Sequence, residues 1–268
     1  MANEPYNPAG IPYRETQLSM DFGNAISRGY VYGHTRFSKN GYNMDVDDTS
    51  EDIWMVGGTY VWPLAAQRME VVSDSIADDV GSTGITSVRI GYLDTNYIAR
   101  SEVLALDGTT PVLTVATNIL RVNTFRADTV GTGGKAAGNI DIRHIDNTPI
   151  YSRIAKGYTR ARNTAYCVPE GYDAFITQIT YASNAPAAGH YARFTLRSDY
   201  DELDDVVNGV FFPFSEIIVG ENTFTITYAI PMRFPERSRL IVSAIGEAAN
   251  VNIVCASQYR GYLVAHKP

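Results

Sequence analysis

The sequence predicts an all-β protein in which two antiparallel β-sandwich or jelly-roll-like domains follow an extended N-terminal arm. From Thr86 onward, short runs of alternating apolar and polar residues recur at a spacing of roughly ten residues, which is typical of antiparallel sandwiches and barrels. Gly, Asp, Asn and Pro, the residues that favour turns, separate these runs. The length of 268 residues exceeds the roughly 100–150 residues of a common domain, so two domains are expected.

Residues 1–56 are predicted to form the extended arm. This stretch is rich in Gly, Asn, Tyr and Pro, carries the turn signal Asn40-Gly41, and has no sustained helical pattern. A loosely alternating run over Tyr30–Phe37 is compatible with one short strand, and Asp45–Asp52 is predicted to be an acidic loop.

Residues 57–146 are assigned to the first β-domain. The segment 62–79 is compatible with a helix, or with a strand over 69–72, which we favour. The remaining predicted strands are 86–92, 98–106, 109–115, 119–124 and 139–145. Asp107-Gly108 is a strong turn signal between two of them.

The glycine cluster Gly131–Lys135 has the composition of a phosphate-binding loop but not its spacing. Such a loop needs Gly five positions before its Gly-Lys pair and Ser or Thr directly after it, and Thr129 and Ala136 stand there instead. We therefore predict a flexible connection between strands rather than a nucleotide site.

Residues 147–268 are assigned to the second β-domain, a jelly-roll-like sandwich. Eight short strands are predicted in it: 150–154, 163–168, 174–183, 191–198, 209–214, 222–228, 239–244 and 250–256. A last edge strand is expected over 259–265.

The charge composition favours protein partners over nucleic acid. The net charge of −7 is opposite to that of most chains that neutralise phosphates, so no specific nucleic acid is expected. Only four of the 22 basic residues are Lys, and 18 residues are Tyr. Protein interfaces favour Arg and Tyr over Lys. A genome of high GC content also favours Arg over Lys, and the composition does not separate these two explanations.

No catalytic residue, cofactor or metal ligand set is predicted, so the chain is not expected to be an enzyme. The four histidines are scattered, and Cys167 and Cys255 are too isolated for a zinc site or disulfide framework, which predicts two small buried residues. Two acidic runs, 45–52 and 199–205, leave an irregular calcium site open as an alternative to solvated loops. No apolar run is long enough for a membrane helix, and no signal peptide is expected.

Two groups of residues are predicted to bind partners. An unanchored arm is expected to become ordered on a partner's surface through Tyr6, Tyr13 and Phe22. The basic residues Arg153, Arg160 and Arg162 are expected to dock on an acidic neighbour, such as the acidic run 199–205 of another copy. Because tyrosines are interleaved with these arginines, binding of single-stranded nucleic acid is the alternative.

The segment from Gly57 to Ile145 resembles virion structural proteins of tailed bacteriophages. The shared pattern has a Gly-Gly-Thr-Tyr entry, a Val-Val-Ser strand, two hairpins and a glycine-rich step. Its matching residues are Gly57, Gly58, Thr59, Tyr60, Val71, Val72, Ser73, Leu93, Asp94, Leu106, Gly108, Thr109, Thr110, Gly138 and Ile140. Weaker similarity continues in Tyr166–Ile176 and Pro231–Ser238, so the resemblance spans about three quarters of the chain.

This resemblance implies a particle component that acts by assembling and brings no catalytic or ligand residue with it. The function we expect is a capsid cement or decoration protein on the outer capsid surface. It would form a homotrimer and clamp neighbouring subunits of the major capsid protein. A tail, collar or fibre-base protein is one alternative. A carbohydrate-binding fibre module, with Trp54, Trp62 or tyrosines stacking on sugars, is the other.

Overall fold

The computed structural model describes residues 22–184, 190–247 and 252–266. These residues form one short helix and sixteen strands, every strand pairing is antiparallel, and the predicted all-β fold class is confirmed. The elements are α1 (Phe22–Ser27), β1 (His34–Val46), β2 (Glu51–Asp52), β3 (Met69–Ser73), β4 (Ile85–Asp94), β5 (Ala99–Ala105), β6 (Val112–Leu113), β7 (Ile119–Val130), β8 (Ile140–His144), β9 (Ile150–Ile154), β10 (Tyr166–Cys167), β11 (Tyr172–Asn184), β12 (Ala192–Asp201), β13 (Val206–Val219), β14 (Asn222–Phe234), β15 (Arg239–Gly246) and β16 (Ile253–Ala265). None of the helical segments in this part of the chain is long and apolar enough to cross a membrane.

Nine strands form a two-sheet sandwich with the connectivity of a jelly roll. One sheet has the order β1-β16-β11-β14. In the other, β15 pairs with β12 and with the short strands β2 and β10, and β13 pairs with the far side of β12. Successive strands mostly cross between the two sheets, as they do in jelly rolls. The sheets enclose one core, in which Tyr181, Phe194, Phe234 and Tyr259 are fully buried.

The strands β3–β9 form a second module, which is inserted between β2 and β10 of the jelly roll. Its two sheets have the orders β6-β3-β8-β9 and β5-β4-β7. A separate hydrophobic core lies between them and includes the fully buried Met69, Ile85, Ile90 and Ile140. The two largest hydrophobic clusters of the described residues therefore lie in different modules, and the jelly roll is assembled from two separate stretches of sequence.

The structure divides the chain between these modules differently from the sequence prediction. Residues 34–46, within the predicted arm, form β1 and pair along most of their length with β16. Residues 150–154, within the predicted second domain, form β9 and pair with β8 of the insertion. The buried face of β1 carries only Phe37, Gly41, Asn43 and Val46, which is too weak an apolar pattern to mark a core strand in sequence.

The glycine-rich segment 131–138 binds a carboxylate of the chain itself. Asp78 is fully buried, and its Oδ1 accepts hydrogen bonds from the backbone N–H groups of Ile85 (2.8 Å) and Ala137 (2.9 Å). Its Oδ2 accepts from the Ser73 hydroxyl (2.7 Å) and the Gly138 N–H (2.8 Å). This segment is therefore anchored rather than a flexible connection, and the anchor ties β3, β4 and the approach to β8 together.

Side chains of β7 join the insertion to the jelly roll. Asn123 donates from Nδ2 to the Cys167 carbonyl (2.8 Å) and accepts the Cys167 N–H at Oδ1 (2.9 Å). The ammonium of Lys39 on β1 donates to the Asn123 carbonyl (2.7 Å). Cys167 and Cys255 are both buried and free, which confirms the prediction for the two cysteines.

Candidate assembly surface

One side of the jelly roll presents two edge strands. β13 is the outer strand of one sheet and β14 is the outer strand of the other, and the two are joined by Gly220 and Glu221. Neither strand pairs on its outer side with any residue that the structure describes. Edge strands expose unpaired backbone donors and acceptors, which can pair with another chain.

These edges and the turn before them expose many large apolar side chains. Leu203 is 92% and Ile230 is 85% exposed. The other exposed members are Val206, Val207, Val210, Ile218 and Phe224. An apolar set concentrated on two neighbouring edges is typical of a protein interface, whereas singly scattered residues are not. We call these seven residues, with the two strands that carry most of them, the β13–β14 surface.

A groove of about 600 Å³ runs through the β13–β14 surface. Leu203, Phe212 and Phe214 line it from one edge, and Ile230 and Met232 line it from the other. Its walls are mostly apolar and open to solvent, so it is suited to side chains of a partner rather than to a small polar substrate.

Ion pairs fix the turn beside this groove. The Tyr200 hydroxyl donates to Asp205 (2.9 Å), and Arg233 pairs with Asp205 (3.4 Å) and Asp173 (2.9 Å). Burial raises the pKa of Tyr200, and its hydrogen bond to Asp205 adds to the shift. The groove therefore has a defined wall at the turn.

The acidic run 199–205 is divided between structural and surface roles. Asp199 is buried and accepts hydrogen bonds from the Arg239 backbone N–H (2.6 Å) and Nε (2.7 Å). Glu202 and Asp204 are exposed, and Glu202 lines the groove. Across the described ranges, no group of three or more His, Cys, Asp or Glu side chains is arranged to hold a metal ion.

The three predicted arginines have different environments. Arg153 forms a bidentate pair with Asp141 (2.6 and 2.7 Å), so its guanidinium is already used within the insertion. Arg162 lies over the Tyr158 ring at 4.6 Å. Arg160 is exposed and has no carboxylate within 4.0 Å among the described residues.

The tyrosines interleaved with these arginines are mostly inside the protein. Tyr151 is 2% and Tyr166 is 7% exposed, so neither offers a face on which a base could stack. The arrangement gives no support to the single-stranded nucleic-acid alternative.

The predicted arm residues lie partly outside the described structure. Tyr6 and Tyr13 precede residue 22 and are not described. Phe22 begins α1 and packs edge-on against His34 (5.7 Å between centroids) and Tyr262 (5.8 Å), with 41% of its surface exposed. It contacts the outer face of the sheet that contains β1 and β16.

Neither tryptophan forms an exposed platform for sugars. Trp54 is 4% exposed, and its indole N–H donates to the Gly58 carbonyl at 3.1 Å. Trp62 is partly buried, with the guanidinium of Arg239 at 5.5 Å from its ring centroid. Both side chains belong to the small cluster that joins the jelly roll to the insertion, which weakens the carbohydrate-binding alternative.

Comparisons with known proteins identify no family. No protein-family model matches the chain, and no curated protein matches it. Among solved structures, tripeptidyl peptidase 2 aligns at 10% identity with a TM-score of 0.24, over 88% of this chain and 21% of that one. The chain thus spans about a fifth of the peptidase chain.

Structures of infectious bursal disease virus align over more of their length. The Gx strain structure aligns at 10% identity with a TM-score of 0.23, over 92% of this chain and 77% of that one. The VP2 subviral particle aligns at 10% identity with a TM-score of 0.15, over 96% of this chain and 87% of that one. TM-scores this low do not establish a common fold, and no functional inference rests on them.

Proposed function

We propose that this chain is a virion structural protein that acts by assembling with other protein chains and has no catalytic role. The observation that carries the proposal is the β13–β14 surface on one side of the jelly roll. There, two strands have no pairing partner on their outer sides among the described residues, and they carry a concentrated set of exposed apolar side chains. A monomeric protein normally protects such edges, whereas an assembling protein uses them. The Arg- and Tyr-rich composition supports a protein partner.

The more specific proposal is a cement or decoration protein on the outer capsid of a tailed bacteriophage. It rests on the resemblance of residues 57–145 to tailed-phage virion proteins. In this proposal the chain forms homotrimers, and the segment before residue 22 lies along a subunit of the major capsid protein. A jelly roll by itself is compatible with many functions, so the site and not the fold carries the argument.

Self-association tests the role of the β13–β14 surface. Sedimentation velocity over a range of concentrations is expected to show oligomers of the wild-type protein, and Ile230→Arg is expected to shift them to monomer. Leu64→Arg is the matched control, because Leu64 is also fully exposed but lies outside this surface. A wild-type monomer at every concentration, or equal effects of both variants, would contradict assembly through this surface.

Quantitative peptide mass spectrometry of purified particles tests the virion proposal. A copy number comparable to that of the major capsid protein supports a cement or decoration protein, and a small fraction of it assigns the chain to the tail or collar. Absence from the particles overturns the virion proposal. Deleting residues 2–21, which precede the described part of the chain, is expected to abolish attachment if the arm binds the capsid.

A further inference from the structure

A pocket of about 200 Å³ lies where the insertion meets the jelly roll. β1 contributes Ser38, Lys39 and Asn40 to its wall, β7 contributes Arg126, and the segment after β9 contributes Arg160. Arg126 and Arg160 face each other in a short antiparallel backbone bridge. Three cationic side chains from three separate elements therefore border one cavity.

The three cations of this pocket lack the carboxylate partners that several other arginines of this protein have. Arg153, Arg197 and Arg239 each pair with an Asp at 2.6–2.7 Å. Among the described residues, no carboxylate lies within 4.0 Å of Lys39, Arg126 or Arg160, and the Lys39 ammonium donates to a neutral carbonyl. An enclosed ammonium without a counter-ion is costly, which makes a bound anion favourable here.

Among the described residues, no negatively charged group borders the pocket around Lys39. Burial, together with the smaller effect of the positive charge of Arg160, lowers the pKa of Lys39 to about 7. Arg126 on β7 and Arg160 are the charged groups at the pocket. On β16 the residue opposite Lys39 is Tyr259, whose hydroxyl donates to the Thr164 carbonyl (2.6 Å).

We propose that this pocket binds a tetrahedral oxyanion, either a free ion such as phosphate or sulfate or the phosphate group of a small ester. The guanidinium groups of Arg126 and Arg160 and the ammonium of Lys39 supply charge-assisted donors. Arginine forks match the geometry of such an anion. This site is separate from the β13–β14 surface and does not depend on self-assembly.

Calorimetric titration of the full-length protein with sulfate tests the site. Sulfate is chosen because its charge does not change near neutral pH. Lys39→Met and Arg160→Gln are each expected to weaken binding by about ten-fold or more, because each removes one charged donor. Lys156→Met is the matched control, since Lys156 is exposed outside the pocket, and it is expected to bind like the wild type. Absence of binding to the wild type, or unchanged binding in Lys39→Met with a folded circular dichroism spectrum, overturns the proposal.

The pH dependence of sulfate binding identifies Lys39 as a ligand. Raising the pH from 6 to 8.5 deprotonates a lysine of pKa about 7, so wild-type affinity is expected to fall toward that of Lys39→Met. Lys39→Arg is expected to keep binding at both pH values, and equal pH dependence in that variant contradicts the assignment.

Calorimetric titration with inorganic phosphate and with glycerol 3-phosphate distinguishes the two sources of the anion by their affinities. Tighter binding of the ester assigns the site to a phosphate ester, and tighter binding of inorganic phosphate assigns it to the free ion. Both results support an oxyanion site, whereas failure of both anions and of sulfate removes it.

Discussion

Replacing Asp78 with Asn is expected to destabilise the insertion strongly. The carboxylate is fully buried and accepts four hydrogen bonds, two at each oxygen. In the variant, the amide NH₂ group takes the place of Oδ2 and faces the Gly138 N–H, which is also a donor and cannot accept a hydrogen bond. The Ser73 hydroxyl can rotate and accept a hydrogen bond from this NH₂ group instead of donating one. The hydrogen bonds from Ile85 and Ala137 to the remaining oxygen persist, but their acceptor is no longer charged.

The expected cost follows from these four bonds. A hydrogen bond to a charged group contributes about 1.5–3 kcal/mol, and a buried donor left unpaired costs about 1–3 kcal/mol. The loss of one such bond and the weakening of two others together predict a loss of about 3 kcal/mol. For a module of this size, about 3 kcal/mol lowers the melting temperature by roughly 12–24 °C.

Differential scanning calorimetry measures this effect directly, because it can resolve the transition of the insertion from that of the jelly roll. Asp107→Asn is the matched control, since Asp107 is exposed and its side chain makes no hydrogen bond in the described structure. Ser73→Ala should cost about 1 kcal/mol, because the other three donors stay in place. A melting temperature of Asp78→Asn equal to that of Asp107→Asn would refute the carboxylate anchor.

Three further predictions concern buried groups. The pKa of Lys39 is lowered to about 7 in the folded state, so above pH 7 the Lys39 amine is protonated in the unfolded chain but mostly neutral in the folded protein. The free energy of unfolding should therefore rise from pH 7 to 8.5. Urea unfolding at both pH values should show this rise in the wild type and a smaller one in Lys39→Met. Burial raises the pKa of Cys167 and Cys255 to about 12, so above about pH 9 the unfolded chain loses these protons first and the free energy of unfolding should fall. A thiol reagent should label neither cysteine until urea unfolds the protein, because both thiols are buried. Gly261→Ala should destabilise the jelly roll by about 1–3 kcal/mol, because the added methyl would overlap the Phe175 carbonyl oxygen of the neighbouring strand. Urea titration measures this decrease in the free energy of unfolding.

The alternating pattern of the β-strands was sufficient to predict much of the secondary structure. The runs 86–92 and 98–106 correspond to the hairpin of β4 and β5, and 174–183 lies within β11. In β4 and β11 buried positions alternate with more exposed ones, so the local sequence pattern is sufficient to predict these strands. The pattern is weak in β1, whose buried positions include a glycine and an asparagine.

The candidate surface and the anion pocket depend on contacts that no local pattern records. Residues 209–214 and 222–228 are predicted as strands and lie within β13 and β14, but the position of these strands at the two edges of the sandwich follows from the order of the sheets. Lys39 and Arg160 are far apart in sequence, yet they border the same cavity.

By itself the sequence determined the all-β class, the need for two cores, and the burial of both free cysteines, because each of these follows from composition, length or local alternation. Only the tertiary structure showed that the jelly roll contains an insertion. It also showed which arginines lack a carboxylate partner, and which strands have an unpaired outer side among the described residues. These features arise from pairing between distant strands, such as β1 with β16, whose partner is selected by the packing of the whole sandwich.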